Sequence, residues 1–472
     1  MFIKMDYSTD IVVVGAGITG LTTGFYLDRA KQDFLIIDNR DYPGGVIHTM
    51  KAGEFVYETG PNTGVLGSLE AVKLFEQLHG EKALTADYAL EKASLAAKKR
   101  FIVKGGKPNI MPMGVGKGIS TKLFTFKDKL RVLFEPFRKR GTNPDETLAE
   151  FVKRRLGESI LDYAINPFIS GVYAGDPGML VTKYAFPKLY NLEQNYGSLI
   201  GGSIKIGKVK KKEKEQNPDL KKVTRETFSA DDGLSNLAYG LYNRIGEGRF
   251  ILSAQKAVVY KTDDGYEVGF VKNGERQTIK CRRVVNTAGA YAFPELFPFV
   301  DDEDKKVISN LVYSGVVECA VGFEKWEGSS LDGFGCLVPQ KENRKILGAL
   351  YMSTLFKNRA PKDGALLSVF MGGIRHLDYL DLSDTEIKKM AAEDLSEIFN
   401  IKEFSPDLFK VMRHRNAIPQ YQADTKQRIE AIEKIEKQFP GLIVGGNMIG
   451  GIGMADRIKQ GVALAEKIIH NA

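Results

Sequence analysis

Three cysteines in 472 residues, Cys281, Cys319 and Cys336, are too few and too widely spaced for a disulfide framework or a metal-ligand pattern. A reducing compartment is expected, with each thiol acting as a small buried hydrophobe. Histidine is scarce too: His48, His79, His376, His414 and His470 show no metal spacing and no HExxH-type helix. There is no GxSxG elbow and no Cys–His pairing to mark a covalent nucleophile. No stretch approaches the ~20 uninterrupted apolar residues of a spanning helix. The segment before Ile11 has no small-residue cleavage site, so neither a secreted nor an integral membrane protein is expected. Aromatics do not interleave with Lys and Arg as in nucleic-acid modules, which removes nucleic acid as a partner.

What is present describes a folded soluble chain, 43% hydrophobic and 27% charged, of about two to three domains. Lys and Arg number 67 against 59 Asp and Glu, a net charge of +8. That modest excess suits a polyanionic small substrate, an anionic membrane face, or simply a solvated surface. Glycine is abundant and clustered, and the clusters carry the chemistry.

Asp10 to Asp38 reads as strand, turn, helix, strand. Ile11-Val12-Val13-Val14 is a β-branched run suited to a doubly buried parallel strand. Gly15-Ala16-Gly17-Ile18-Thr19-Gly20 follows, then a helical pattern from Leu21 to Lys31 and a second strand, Phe34 to Ile37. In such a unit Gly15 permits the turn, Gly17 lets backbone approach a pyrophosphate and Gly20 allows close helix–strand packing. The helix N-terminus faces the phosphates, and Asp38 is placed to accept from a ribose diol. Beyond it come Gly44-Gly45-Val46 and then Gly60-Pro61-Asn62-Thr63. A glycine pair after the ribose acid, then a segment closing in Gly-Pro, resembles the glutathione-reductase-like FAD enzymes of the amine oxidase type. Near the C-terminus a short strand, Leu442-Ile443-Val444, precedes Gly450-Gly451-Ile452-Gly453 and a helix from Met454 to Ile469. The amides at that helix start are expected to face the flavin pyrimidine ring. No cysteine lies near this cluster, so the FAD is expected to be non-covalent.

Seven motifs in order narrow the resemblance. They include Ser170-Gly171-Val172-Tyr173-Ala174-Gly175-Asp176-Pro177, Tyr196-Gly197-Ser198-Leu199-Ile200-Gly201-Gly202 and Gly333-Phe334-Gly335-Cys336-Leu337-Val338-Pro339. Arg359-Ala360-Pro361, Ala417-Ile418-Pro419-Gln420-Tyr421, Gly446-Asn447 and Gly450-Gly451-Ile452-Gly453 complete the set. From about Asp10 to Ala465 the chain resembles the FAD-dependent protoporphyrinogen oxidase family, which includes bacterial coproporphyrinogen-oxidising enzymes. The resemblance implies six-electron oxidation of a porphyrinogen in three flavin cycles, with oxygen as acceptor. Protoporphyrinogen IX and coproporphyrinogen III both remain open as substrates. It implies that Arg100 pairs with a substrate propionate, that Leu337 and Leu350 sandwich one pyrrole ring, and that Phe370 stacks on another. The Ala174-Gly175 backbone would meet pyrrole N–H groups, Asn62 would lie beside the flavin, and Val258 would touch the adenine side. The residues holding FAD would be Gly15, Ala16, Gly17, Ile18, Thr19, Gly20, Asp38, Gly45, Val46, Gly60, Pro61, Asn62, Thr63, Val258, His414, Gly451, Ile452 and Gly453. The chain departs from the family's pattern at His48, often Arg, and at His414, often Trp. Asp231-Asp232-Gly233-Leu234 and Ala288-Gly289 depart as well. Two other readings are an amine oxidase or carotenoid desaturase on the same fold, and a non-catalytic carrier of haem precursors. No aromatic-cage signature supports the amine reading.

The expected class is α/β: a glutathione-reductase-like FAD-binding Rossmann domain with an inserted mixed-sheet substrate domain and a helical, membrane-associating domain. The expected boundaries place FAD-binding pieces at 1–88, 226–296 and 413–472. Substrate-domain pieces fall at 89–112, 206–225 and 297–412, and the helical domain at 113–205. Lys117 to Arg140 reads as a basic amphipathic segment that either lies on an anionic bilayer or packs inside its own domain. A second basic run, Lys205 to Lys222, reads as a solvated excursion. The resemblance implies a cytoplasmic protein in peripheral membrane contact, hand-off to a ferrochelatase-type enzyme, and a homodimer.

Overall fold

Ile11-Val12-Val13-Val14 does form a strand, Ile11–Val14, with all four residues buried. The structure, a computed structural model, describes residues 6–80, 90–112, 118, 121 and 123–470. The strand lies at the centre of a five-stranded parallel sheet ordered Phe250–Ile251, Phe34–Ile37, Ile11–Val14, Arg283–Asn286, Leu442–Val444. Side-chain alternation then divides two cores. Ile11 and Val13 pack with residues of the helices Ile18–Arg29, Ser235–Ile245 and Met454–His470. Val12 and Val14 pack with a four-stranded sheet, in the order Asp6–Ser8, Glu275–Cys281, Gly265–Lys272, Gln255–Thr262. Three distant stretches of sequence thus build one layer. Val258 lies in the last of those strands.

The first helix begins at Ile18, earlier than the Leu21 expected. Gly20 therefore sits in its first turn, pressed on the glycine loop: a Cβ there would lie 1.8 Å from the Gly15 carbonyl oxygen. The helix can start early because nothing but a hydrogen projects from Gly20.

A second, seven-stranded mixed sheet runs Leu408–Pro419, Tyr313–Phe323, Ala365–Gly372, Ile346–Tyr351, Gly335–Leu337, Phe101–Lys104, Lys107–Ile110. One face, with Val317, Cys319, Val369 and Cys336, is buried against the helix Asp384–Phe399. The other face turns toward the hairpin Thr49–Ala52 and Phe55–Glu58, through Phe55 and Tyr57. All three cysteines are free and buried, and burial pushes Cys281 and Cys319 up to about 12 and Cys336 to about 11. They behave as the small hydrophobes expected.

Between these layers in sequence lies a helical region. Glu135 is its tie point: its carboxylate accepts from Ser198 Oγ at 2.8 Å and Leu199 N at 2.9 Å, and it pairs with the fully buried Arg155. Those bonds hold its carboxyl below the usual range despite burial, and they cap the helix Leu199–Gln216. That helix runs through the boundary placed at residue 205, and its lysines 205, 208, 210, 211 and 212 are exposed. Among the described residues no helix is long and apolar enough to cross a membrane.

Candidate cofactor and substrate site

Gly17 is the N-cap of the helix Ile18–Arg29 and has no side chain to cap it, so the first-turn amides point outward. A Cβ at Gly17 would meet nothing within 4 Å, leaving open space in front of the helix end. Gly15 is left-handed (φ +107°), and the Thr287 hydroxyl fixes the turn by donating to Val14 O at 2.8 Å. Gly44 N donates to Ala16 O at 2.9 Å and Gly45 packs on Gly17, so Gly45 and the exposed Val46 cross the mouth of the cradle. A Cβ on Gly60 would lie 2.2 Å from the Val46 carbonyl oxygen, which seats Gly60, exposed Pro61, Asn62 and Thr63 beside it. Asp38 already accepts from Ala16 N (2.7 Å) and Arg40 N (2.9 Å), so it braces the glycine loop. Each oxygen keeps further acceptor capacity for a ribose diol. An open helix end, close-approaching glycines and a terminal carboxylate fit a dinucleotide such as FAD. The strand holding Val258 starts next to this carboxylate's residue, where Ala254 N donates to Asp38 O at 2.8 Å.

Gly451, Ile452 and Gly453 do lead into Met454–His470, but Asp456 Oδ2 accepts from Gly453 N at 3.2 Å. That carboxylate takes the amide just ahead of the helix. The loop is shaped from behind by buried Arg457, which donates to Ile449 O at 2.7 Å and to Gly446 O. Tyr421 donates to the Gly451 carbonyl at 3.0 Å.

Register places the substrate-side residues together. Leu337 pairs with Gly348, Gly348 with Phe370, Phe370 with Glu318 and Glu318 with Met412. Leu350 pairs with Ser368 one step along. Paired residues share a face, as do residues two apart, so Leu337, Leu350, Phe370, Ser368, Glu318 and His414 all project from one side. Leu337, Leu350 and Phe370 are half-buried, whereas Cys336, Ala349 and Val369 on the opposite face are fully buried. The apolar row is therefore more open than a packed core. Gly171 lies against Leu337, and Ala174 ends a π-helical turn, Ile169–Tyr173, in the left-handed region (φ +47°). Its carbonyl accepts from Ile374 N at 2.8 Å, so the Ala174–Gly175 wall is braced against the same sheet. Arg100 is exposed just ahead of Phe101–Lys104, its guanidinium 4.8 Å from the ring centre of Phe334. Phe334 and Leu350 share one cluster, and no described carboxylate pairs with Arg100.

Two polar groupings escaped sequence reading. Asn62 Nδ2 donates to Glu318 Oε1 at 2.6 Å and to Gly60 O at 2.9 Å, while Ser368 Oγ donates to Asn62 Oδ1 at 2.6 Å. His414 Nε2 lies 3.9 Å from Glu318 Oε2. Burial pushes Glu318 up to about 8 and holds His414 below its ordinary value. Second, buried Glu58 takes Arg359 Nη1 at 3.0 Å and Leu234 N at 3.0 Å, and Arg359 Nη2 donates to Ser229 Oγ at 2.7 Å. That pair fastens the hairpin, and with it Gly60 to Asn62, across the sheets. Removing one partner would leave a buried charge, at about 3–5 kcal/mol. The available signal for Glu318 is a lone acid in the apolar run Val316-Val317-Glu318-Cys319-Ala320.

A family profile described as flavin containing amine oxidoreductase matches residues 18–469. Protoporphyrinogen oxidase 2, chloroplastic/mitochondrial, of Arabidopsis thaliana is 26% identical over 97% of this chain and 93% of its own length. Coproporphyrinogen III oxidase of Bacillus subtilis (strain 168) is also 26% identical, over 97% of each. A crystal structure from Exiguobacterium sp. 255-15 shares the fold with TM-score 0.77 at 21% identity, covering both chains fully.

The two key glycines separate binding from folding. Gly17→Val is expected to leave the thermal midpoint of the flavin-free protein unchanged while abolishing the yellow absorption of the purified protein. Gly20→Ala should instead destabilise the fold itself, by about 2 kcal/mol or more, through overpacking on Gly15. A fully flavin-loaded Gly17→Val protein would contradict the cradle assignment.

Proposed function

We propose that this chain, which belongs to the flavin containing amine oxidoreductase family, oxidises protoporphyrinogen IX to protoporphyrin IX. The observation that carries the substrate class is the half-buried row Leu337, Leu350 and Phe370 near Arg100, which no described carboxylate pairs. A flat, greasy macrocycle with carboxylate arms satisfies both features. Its rings gain about 25 cal/mol per Å² of apolar surface buried on the row, and a propionate finds a guanidinium fork. The relatives named protoporphyrinogen oxidase support this reading along almost the whole chain.

Six electrons leave the substrate in three two-electron steps. Its meso C–H bonds are activated by the flanking pyrroles and aromatisation drives the reaction, so the protein's task is placement rather than nucleophilic attack. That agrees with the absence of a nucleophile motif. Bound FAD would supply the two-electron acceptor and pass the electrons to oxygen. The open amides after Gly17 would hold its pyrophosphate, Asp38 its ribose, and Val258 would border the adenine. Leu337 and Leu350 fix one pyrrole ring, Phe370 another, and the Ala174–Gly175 wall limits sliding along the sheet. Arg100 sets the in-plane orientation through one carboxylate.

Coproporphyrinogen III is the second reading, favoured by the equal identity to the Bacillus subtilis enzyme over 97% of its length. Its four carboxylates would draw on the basic surface as well as on Arg100.

The helix Phe126–Leu133 and the turn Glu135–Phe137 leave Phe126, Leu133, Phe134 and Phe137 at least half exposed, beside exposed Lys127, Lys139 and Arg140. Such a surface favours peripheral seating on an anionic bilayer. From there an oily product would pass to a ferrochelatase-type enzyme.

Arg100→Ala is expected to raise KM for porphyrinogen about tenfold or more, the loss of one charge-assisted bond, with flavin content unaltered. An unchanged KM would remove Arg100 from the site. The double variant Phe134→Glu, Phe137→Glu should stop the protein floating with phosphatidylglycerol vesicles while its oxidation of detergent-dispersed substrate persists. Continued flotation would place the membrane contact elsewhere.

A further inference from the structure

Glu318, Asn62 and Ser368 are buried together, 1%, 5% and 1% exposed, on the face that also carries Phe370 and Leu350. Their position relative to the cradle follows from close contacts. Gly45 packs on Gly17, Gly60 packs on Val46, and the Gly60 carbonyl accepts from Asn62. The group therefore sits where the nucleotide-binding layer meets the seven-stranded sheet, between the cradle and the apolar row. Asn62 is locked by three hydrogen bonds, so it cannot turn to follow a change at Glu318. His414 Nε2 is buried, faces Glu318 and has no hydrogen-bond partner. Its ring is held instead by a backbone bond to Thr59, which leaves Nε2 as an acceptor.

We infer that Glu318 is a single-proton site coupled to the electron count of the bound flavin: reduction tightens its hold on that proton and reoxidation loosens it. The inference rests on the flavin reading of the cradle and not on the choice of porphyrinogen.

The surroundings supply the reason. From the hairpin, Glu58 faces Glu318 and repels its charged form, and Arg359 is committed to Glu58. From Leu408–Pro419 come Met412 and His414, the latter kept from charging by burial and by Arg40. From Ala365–Gly372 come Ser368 and Phe370, neither charged. Arg413 and Asp384 form an ion pair at 2.7 Å, and Arg413 lies on the strand position adjacent to His414 that points to the opposite face. Among these groups only the Asn62 amide favours the carboxylate. Electrons added nearby in a site of low dielectric raise the cost of that carboxylate further. In the pH range between the two proton affinities, each two-electron reduction takes up one solvent proton at Glu318, and each reoxidation returns it.

The test is the midpoint potential of the purified, flavin-loaded protein measured against pH with indicator dyes, which needs no porphyrinogen. Above the raised value of the Glu318 carboxyl, about 8, the slope should steepen by about 30 mV per pH unit, one proton per two electrons. Glu318→Gln keeps an acceptor for Asn62 but has no proton to exchange, and the steep segment should vanish with flavin content retained. His414→Phe leaves the carboxyl in place and should keep the segment. A wild-type profile without the break overturns the inference even if a variant fails to fold. Persistence of the break in Glu318→Gln, or its loss in His414→Phe, overturns it too. A protein that purifies without flavin would instead sink the cofactor reading on which it stands.

Discussion

Everything in the site depends on one uncapped helix end. Gly17 offers no side chain to the amides of Ile18–Arg29, and Gly20 lets that helix begin directly on the Gly15 turn. The consequence is a fixed, outward-facing set of donors that the protein itself does not satisfy. Three other segments are arranged around it: Gly44 to Val46 across its mouth, Gly60 to Asn62 alongside, and Thr287 behind. A helix end with a capping serine would be more stable alone and useless here.

The seven-stranded sheet extends the same logic to the substrate. Its back face is closed by Asp384–Phe399, so it gains the burial that holds it rigid. Its front face leaves Leu337, Leu350 and Phe370 half-buried and carries buried polar groups at Glu318 and Ser368. Under the proposed function, a planar ligand would complete the packing of that half-buried front. The Glu58–Arg359 pair ties the loop that leads into Ala365–Gly372 to the hairpin that leads into Gly60 through one buried contact.

Local chemistry explains what was legible in the sequence. The run Ile11 to Val14, the glycine spacing and Asp38 specify a strand–turn–helix–strand unit within one short stretch, and the structure has it. The helix starts earlier than its pattern suggests, at Ile18, because Gly20 resembles a breaker in sequence but packs directly on Gly15. The Glu318, Asn62, Ser368 and His414 group was invisible because it is made by register between strands far apart in sequence. The side chain of Asn62, expected beside the flavin, bonds to Glu318, Gly60 and Ser368, partners that no local motif reveals. For Phe126 to Phe137 the amphipathic pattern is the same whether the apolar side faces a core or a bilayer, and only the packed structure shows the side chains exposed.

The central claim joins an open dinucleotide cradle to an apolar face for a porphyrinogen. Anaerobic mixing of the flavin-loaded protein with protoporphyrinogen IX tests it most directly, through bleaching of the flavin band and the appearance of porphyrin fluorescence. The account predicts that protoporphyrinogen bleaches the flavin and that oxygen restores the band; faster bleaching by coproporphyrinogen III would move the enzyme to that substrate. A flavin that neither porphyrinogen bleaches would contradict the account.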